Sequence, residues 1–344
     1  MGVKTTLKKF LDVSGISGTE DNVLNLMKKE LKGNVDEIHE DKVGNLITKK
    51  GKGKIKVLLT AHMDEIGFMV KSITEKGYLK INPVGGWDPK ILPSQKVKIY
   101  TEKGVKQGVI GSKAIHMQEK EEVEKVKKLK QLSIDVGAKD KKDAEKKGFN
   151  IGDYVEVGGE LTELENGRVS GRCLDNRISC AVLTEVMKKA KTTGITIYGV
   201  GSVQEEVGLK GARAAMFGVN PDIIISLDVA MSSGPFVSTD EVPNELGKGA
   251  VIGIQDSAFV VHKKVRKLLV ESAKKKKIPY QLGVSGGGTT EATAAILTRE
   301  GKPGGLVGVP VRYMHTTVET AEIKDMENAV KLVVESMNNV KKYF

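Results

Sequence analysis

Apolar strand patterns that alternate with amphipathic helix patterns constrain this chain more than any other feature. The run Ile55-Lys56-Val57-Leu58-Leu59-Thr60 is almost unbroken. Such a run suits an interior strand covered on both faces. Beyond about Asn166, strand-like segments recur at Ile195 to Gly199, Ile223 to Leu227, Val251 to Ile254 and Leu306 to Val309. Helix patterns lie between and after them, at 177–190, 207–217, 259–276 and 322–341. Near the start, Val23, Leu24, Met27 and Leu31 share one face of a helix over Thr19 to Leu31, with Thr19 as its expected N-cap. A further strand is expected over 43–47. The sum predicts an α/β fold with a doubly wound, mixed sheet.

The texture changes between about residues 72 and 163. Gly, Pro and short alternating runs appear there, as in Lys96 to Tyr100, Gly108 to Gly111 and Tyr154 to Gly159. They predict a small β domain, interrupted by a charged segment around 119–130. One α/β domain, residues 1–72 and 163–344, would then carry a β domain inserted at 73–162. The length of 344 residues accommodates both at the usual ~150 residues per domain.

Composition excludes several classes. Hydrophobic residues make up 39% and charged residues 29%, so the chain can bury a core and is not disordered. No stretch reaches the ~18 uninterrupted apolar residues of a membrane span. The N-terminal segment has no apolar run of signal length, and two Cys cannot build a disulfide scaffold. A cytoplasmic protein is the expectation. Lys plus Arg exceed Asp plus Glu by 55 to 44, a net charge of +11. The basic residues are mixed with acids, as in Glu119 to Lys128, or close a helix, as at Lys274 to Lys277. They read as a solvated surface, and with few aromatics among them nucleic-acid binding is not expected.

Chemistry gathers at strand ends. His62, Asp64 and Glu65 follow the run from Ile55, and Glu205 and Glu206 follow the strand from Ile195. Asp228 ends the strand from Ile223, His315 follows the strand around Leu306, and Asp175 opens a helix. In open α/β sheets ligand sites lie beyond the carboxyl ends of the strands. Singly, each residue has an ordinary reading: a structural His, a solvated turn, an N-cap. Together on one rim, imidazoles and carboxylates suit two divalent metals such as zinc, cobalt or manganese. Asp64 is placed to accept the second N–H of His62. Of the adjacent pair Glu205 and Glu206, one can bind metal while the other stays free to take a proton from water.

The segments Ala61 to Phe68, Gly171 to Arg177, Val203 to Gly208, Leu227 to Val229 and Pro310 to His315 together resemble the tetrahedral (TET) aminopeptidases. These are dinuclear metallopeptidases related to glutamyl aminopeptidase, and the segments stand in the family's order. The resemblance runs from about residue 4 to 340. It implies a metalloaminopeptidase that hydrolyses N-terminal residues from short peptides, with two metal ions per subunit, zinc or cobalt. His62 and Asp228 would each bind one metal, Glu206 and His315 the other, and Asp175 would bridge both. Glu205 would be the general base and Asp64 the partner of His62. The inserted segment would be a small β-barrel, PDZ-like dimerisation domain, with dimers assembling into a dodecamer.

One departure from the family pattern is Thr290, in Ser285 to Glu291, where many relatives carry Asp. It leaves the preferred N-terminal residue open. His39, His116 and His262 are expected outside the site, Cys173 and Cys180 as buried apolar groups, and Trp87 as packing in the β domain. Two other readings compete. One is a metal-dependent N-acyl amino acid deacylase. The other is a non-catalytic, metal-stabilised assembly protein, against which an uncommitted Glu205 speaks.

Overall fold

A computed structural model describes residues 2–344. Among them, eleven strands form one mixed sheet. The strands Ile195–Ser202, Ile55–His62, Ile223–Met231 and Gly304–Arg312 run parallel as neighbours. Antiparallel strands flank them: Leu46–Lys50 on one side, Ala250–Gln255 and Glu319–Glu322 on the other. Both faces are covered. Val57, Leu59 and Ala61 pack into the core under helices Val3–Leu11, Leu174–Lys189 and Ile323–Asn339. Leu58 points the other way, into a second core with Ala212, Met216, Ala294 and Ala295. Period-two alternation with both faces buried is why the sequence shows an unbroken apolar run.

The inserted unit is a closed barrel built from Gly67–Ile73, Leu79–Val84, Ile134–Asp135, Gly104–Ile110, Lys96–Thr101 and Tyr154–Val157. Its own core includes Phe68, Leu79, Ile99, Ile134 and Val155. Trp87 stacks on Phe68 with centroids 5.1 Å apart, and its Nε1 donates to the Gly67 carbonyl at 3.1 Å. The first barrel strand begins at Gly67, ahead of residue 73. Within 119–130 only Lys120–Val123 is α-helical.

Local chemistry moves several expected boundaries. The early helix is Asp21–Leu31, and Thr19 does not cap it. The Thr19 hydroxyl instead donates to the Ile16 carbonyl at 2.9 Å. The strand expected over 43–47 starts only at Leu46, because the Asp41 carboxylate accepts the amides of Val43 and Asn45 and curls the chain before it. His262 precedes the helix Lys263–Lys276. No helix among the described residues is long and apolar enough to cross a membrane.

Candidate metal centre

The parallel strands place their carboxyl ends side by side, with Ser202 opposite His62. His62 is the last residue of its strand and is buried, 2% exposed. Beyond it the chain turns, and Asp64 enters the interior. Its carboxylate accepts the Ser17 hydroxyl at 2.6 Å and the amides of Glu205 and Glu206 at 3.0 and 3.1 Å. Nδ1 of His62 faces the Asp64 carbonyl oxygen at 3.2 Å, with a carboxylate oxygen at 3.4 Å. The expected partner is therefore present. Its backbone oxygen makes the hydrogen bond, while its carboxylate also pins the strand end that carries both glutamates.

Of the eight residues singled out on the rim, seven converge, while Glu65 turns away to pair with Arg172 and Arg177. Asp175 sits between the two imidazoles: Oδ1 is 3.2 Å from His62 Nε2, and Oδ2 is 3.6 Å from His315 Nε2. Asp228 Oδ1 and Glu205 Oε2 stand 3.8 and 4.0 Å from His62 Nε2. Glu206 Oε2 stands 3.5 Å from His315 Nε2. His315 itself is held from two sides. Its amide donates to Glu319 at 2.8 Å, and its Nδ1 meets the carbonyl of Gly86, from the barrel, at 3.1 Å. A Cβ at Gly86 would lie 3.2 Å from that nitrogen, so a side chain there would displace the ring.

The charge of this cluster is unbalanced. Burial pushes the Glu205 carboxyl up to about 8. Burial also drives Glu206 and Asp228 far above the usual carboxylate range, and the neighbouring Asp175 adds to both. Burial opposes a charged His62, but Glu205, Asp175 and Asp64 outweigh it and raise its pKa well above that of a free imidazole. Asp175 Oδ1 is buried and makes no hydrogen bond. Oxygen and imidazole atoms of His62, Glu205 and Asp228, and again of His62, Asp175 and Glu206, come within 4.8 Å of one another. Cations would offset the mutual repulsion of these buried carboxylates, and carboxylate and imidazole are their ordinary ligands, so the donor set fits divalent metal.

Some participants left little trace in the sequence. Glu319, fully buried, accepts the amides of both Asp175 and His315. Glu65, Arg172 and Arg177 form a buried ion network under the site, and Arg177 also donates to the Met63 carbonyl. Arg172 and Arg177 lie within the segments that carry the family resemblance, but nothing local indicated their partners. Cys173 and Cys180 are buried and free. Burial, more than the neighbouring acids, pushes the Cys173 thiol up, which leaves it no nucleophilic role.

A sheet of this topology, with a buried His and carboxylate cluster on its rim, defines a metal-dependent hydrolase. The chain belongs to the M42 glutamyl aminopeptidase family, whose model matches residues 44–332, and it is a metal-dependent aminopeptidase. It is 36% identical to the lysyl aminopeptidase of Pyrococcus furiosus over 339 residues, covering 97% of this chain and 96% of that one. A TET aminopeptidase from a Thaumarchaeota archaeon superposes with a TM-score of 0.93 at 32% identity, over 99% of each chain. The TET1 peptidase of Pyrococcus horikoshii, which can assemble into a tetrahedron or a large octahedral shell, gives 0.88 at 32% identity, over 97% of this chain and 98% of that one.

Proposed function

We propose that the rim holds two divalent cations, zinc or cobalt, and that the enzyme releases N-terminal residues from short peptides. His62 and Asp228 would serve one cation and Glu206 and His315 the other, with Asp175 shared. The observation that carries this reading is the Asp175 carboxylate, set between two imidazoles with its two oxygens 3.2 and 3.6 Å from their Nε2 atoms. When bound, such a cation pair acidifies an attacking water and polarises the scissile carbonyl. Glu205 has no hydrogen-bonded partner fixing its carboxylate among the described residues. It takes a proton from the attacking water and returns it to the leaving nitrogen as the C–N bond breaks. Asp64 and Glu319 hold the backbone that carries Glu205, Glu206, Asp175 and His315.

The division into a catalytic domain, 1–72 and 163–344, and a dimerisation domain, 73–162, is part of the same proposal. So is assembly of dimers into a closed shell of twelve chains, supported by the P. horikoshii relative. A cytoplasmic location fits two buried, unpaired thiols. Elemental analysis tests the metal count, with two cations per chain expected and one in a fully active enzyme overturning it. A short peptide tests the reaction. Products should appear one residue at a time from the free N-terminus, and acetylation of that terminus should abolish cleavage. Equal cleavage of both forms would favour the deacylase reading.

A further inference from the structure

We propose that the turn Gly85-Gly86-Trp87 of the inserted barrel is a positioning clamp for His315, so that the barrel sets how tightly the cation served by His315 is held; this rests on the metal-centre reading above. The two imidazoles of the rim are held differently. The His62 side chain is 2% exposed and meets Asp64, from its own turn. The His315 side chain is 37% exposed, so packing constrains it far less. Its Nδ1 meets the Gly86 carbonyl oxygen at 3.1 Å. A carbonyl only accepts, so Nδ1 carries the proton and Nε2 keeps its lone pair. That Nε2 faces Asp175 and Glu206 at 3.6 and 3.5 Å. The barrel therefore fixes both the tautomer and the aim of this ring.

The turn is anchored on both sides. It follows the barrel strand Leu79–Val84, and Asp88 closes it with a carboxylate that accepts the Lys90 amide at 2.9 Å. Trp87 ties it down by stacking on Phe68 and donating to the Gly67 carbonyl. Phe68 is itself fully buried in the barrel core. Gly85 has a φ of +78°, in the left-handed region that glycine enters at no steric cost. A Cβ there would lie 2.5 Å from Ile66 Cγ2 and 3.4 Å from Glu206 Cβ. Glycine thus lets the turn lie against Glu206 as well as His315, the two residues assigned to the same cation.

A second contact from the barrel reaches the same loop. Gly158 follows the barrel strand Tyr154–Val157, and a Cβ there would lie 3.2 Å from Thr317 Cγ2, two residues beyond His315. His315 has a φ of +59°, an uncommon conformation for a residue with a side chain. Such a backbone persists only where its surroundings hold it. Here Glu319 holds it from the sheet domain, and Gly86 and Gly158 press on it from the barrel. His62 and Asp228 stand instead on neighbouring strands of the sheet. The cation they serve should be indifferent to the barrel.

The test uses the full-length chain, stripped of metal and titrated calorimetrically with zinc alone. His315→Ala identifies the binding step that belongs to His315. Gly86→Ala puts a Cβ 3.2 Å from Nδ1. It should weaken that same step by about 10–100-fold and leave the other within about twofold of wild type. Trp87→Ala should act the same way, and Trp87→Phe, which keeps a ring against Phe68, should recover most of the loss. Equal weakening of both steps would mark a general structural role and overturn the clamp, as would a His315 step unmoved by Gly86→Ala. Trp87 is the chain's one tryptophan, so its emission reports on the turn in the unaltered protein. A turn that strengthens cation binding is itself steadied by the cation. Emission should therefore change with the step that His315→Ala removes, and a change confined to the other step, or none, refutes the clamp. Should the Gly86 and Trp87 variants not fold, that readout decides. A wild type that binds one zinc only overturns the two-cation reading, and the clamp is still judged by whether Gly86→Ala weakens the step lost in His315→Ala. If His315→Ala loses no step, His315 is no ligand and the clamp falls with it.

Discussion

Asp64 and Glu319 do parallel work. Each is a buried carboxylate that spends its oxygens on two backbone amides of residues lining the rim. Neither needs to touch substrate to matter. Glu319→Gln keeps the shape but offers one acceptor oxygen where the carboxylate offered two. It should weaken metal affinity by about 10–100-fold, read by titration of the metal-free protein, and recover much of kcat at saturating metal. Glu205→Gln should behave in the opposite way. Both cations should remain, while kcat falls by about 10²–10⁴-fold because an amide cannot take the proton. Weakened metal occupancy in Glu205→Gln, with intact Glu206→Gln, would reverse the roles of the pair.

At the scale of elements, buried charge fastens the pieces that surround the site. Glu65 joins Arg172 and Arg177, so the turn after the Ile55–His62 strand is tied to the start of the Leu174–Lys189 helix. Arg177→Met should destabilise the fold by up to about 3 kcal/mol in denaturant unfolding, since it leaves Glu65 short of a counter-ion. Asp325 fastens the start of the last helix to the loop at Gly247 and Gly249, whose amides it accepts at 2.6 and 2.8 Å. Burial nevertheless pushes its carboxyl from 3.8 up to about 6. A raised carboxyl binds more protons in the folded state. Its contribution to stability is therefore full below the unfolded pKa and is lost as the pH rises toward 6. Melting temperatures of Asp325→Asn and wild type should diverge in their pH dependence between about pH 4 and 6, the variant being flatter.

The whole molecule is a sheet domain with a barrel set into it, and the two meet at the chemistry. Gly86, in the barrel, touches the ring of His315. Removing the barrel therefore takes away a proposed dimerisation surface and a contact to His315, a proposed metal ligand. Sedimentation of the intact chain should show a large closed oligomer of about twelve subunits, as expected for symmetric closure of dimers. The barrel-deleted chain should sediment as smaller species. A wild-type monomer at micromolar concentration would refute the assembly.

Strand periodicity, the helix faces and the change of texture near residue 72 were legible because they are local consequences of which face of each element is buried. The gathering of the rim residues was legible for a related reason: parallel strands bring their ends together, so His62, Glu205, Asp228 and His315 could be placed near one another from strand order. Asp175 needed the family resemblance to acquire a role. What the tertiary structure decided were contacts between distant segments. Asp64 reaches Glu205 across 141 positions, and Asp175 reaches Glu319 across 144. No periodicity encodes such pairs, because they depend on how the sheet registers and where a turn leaves it.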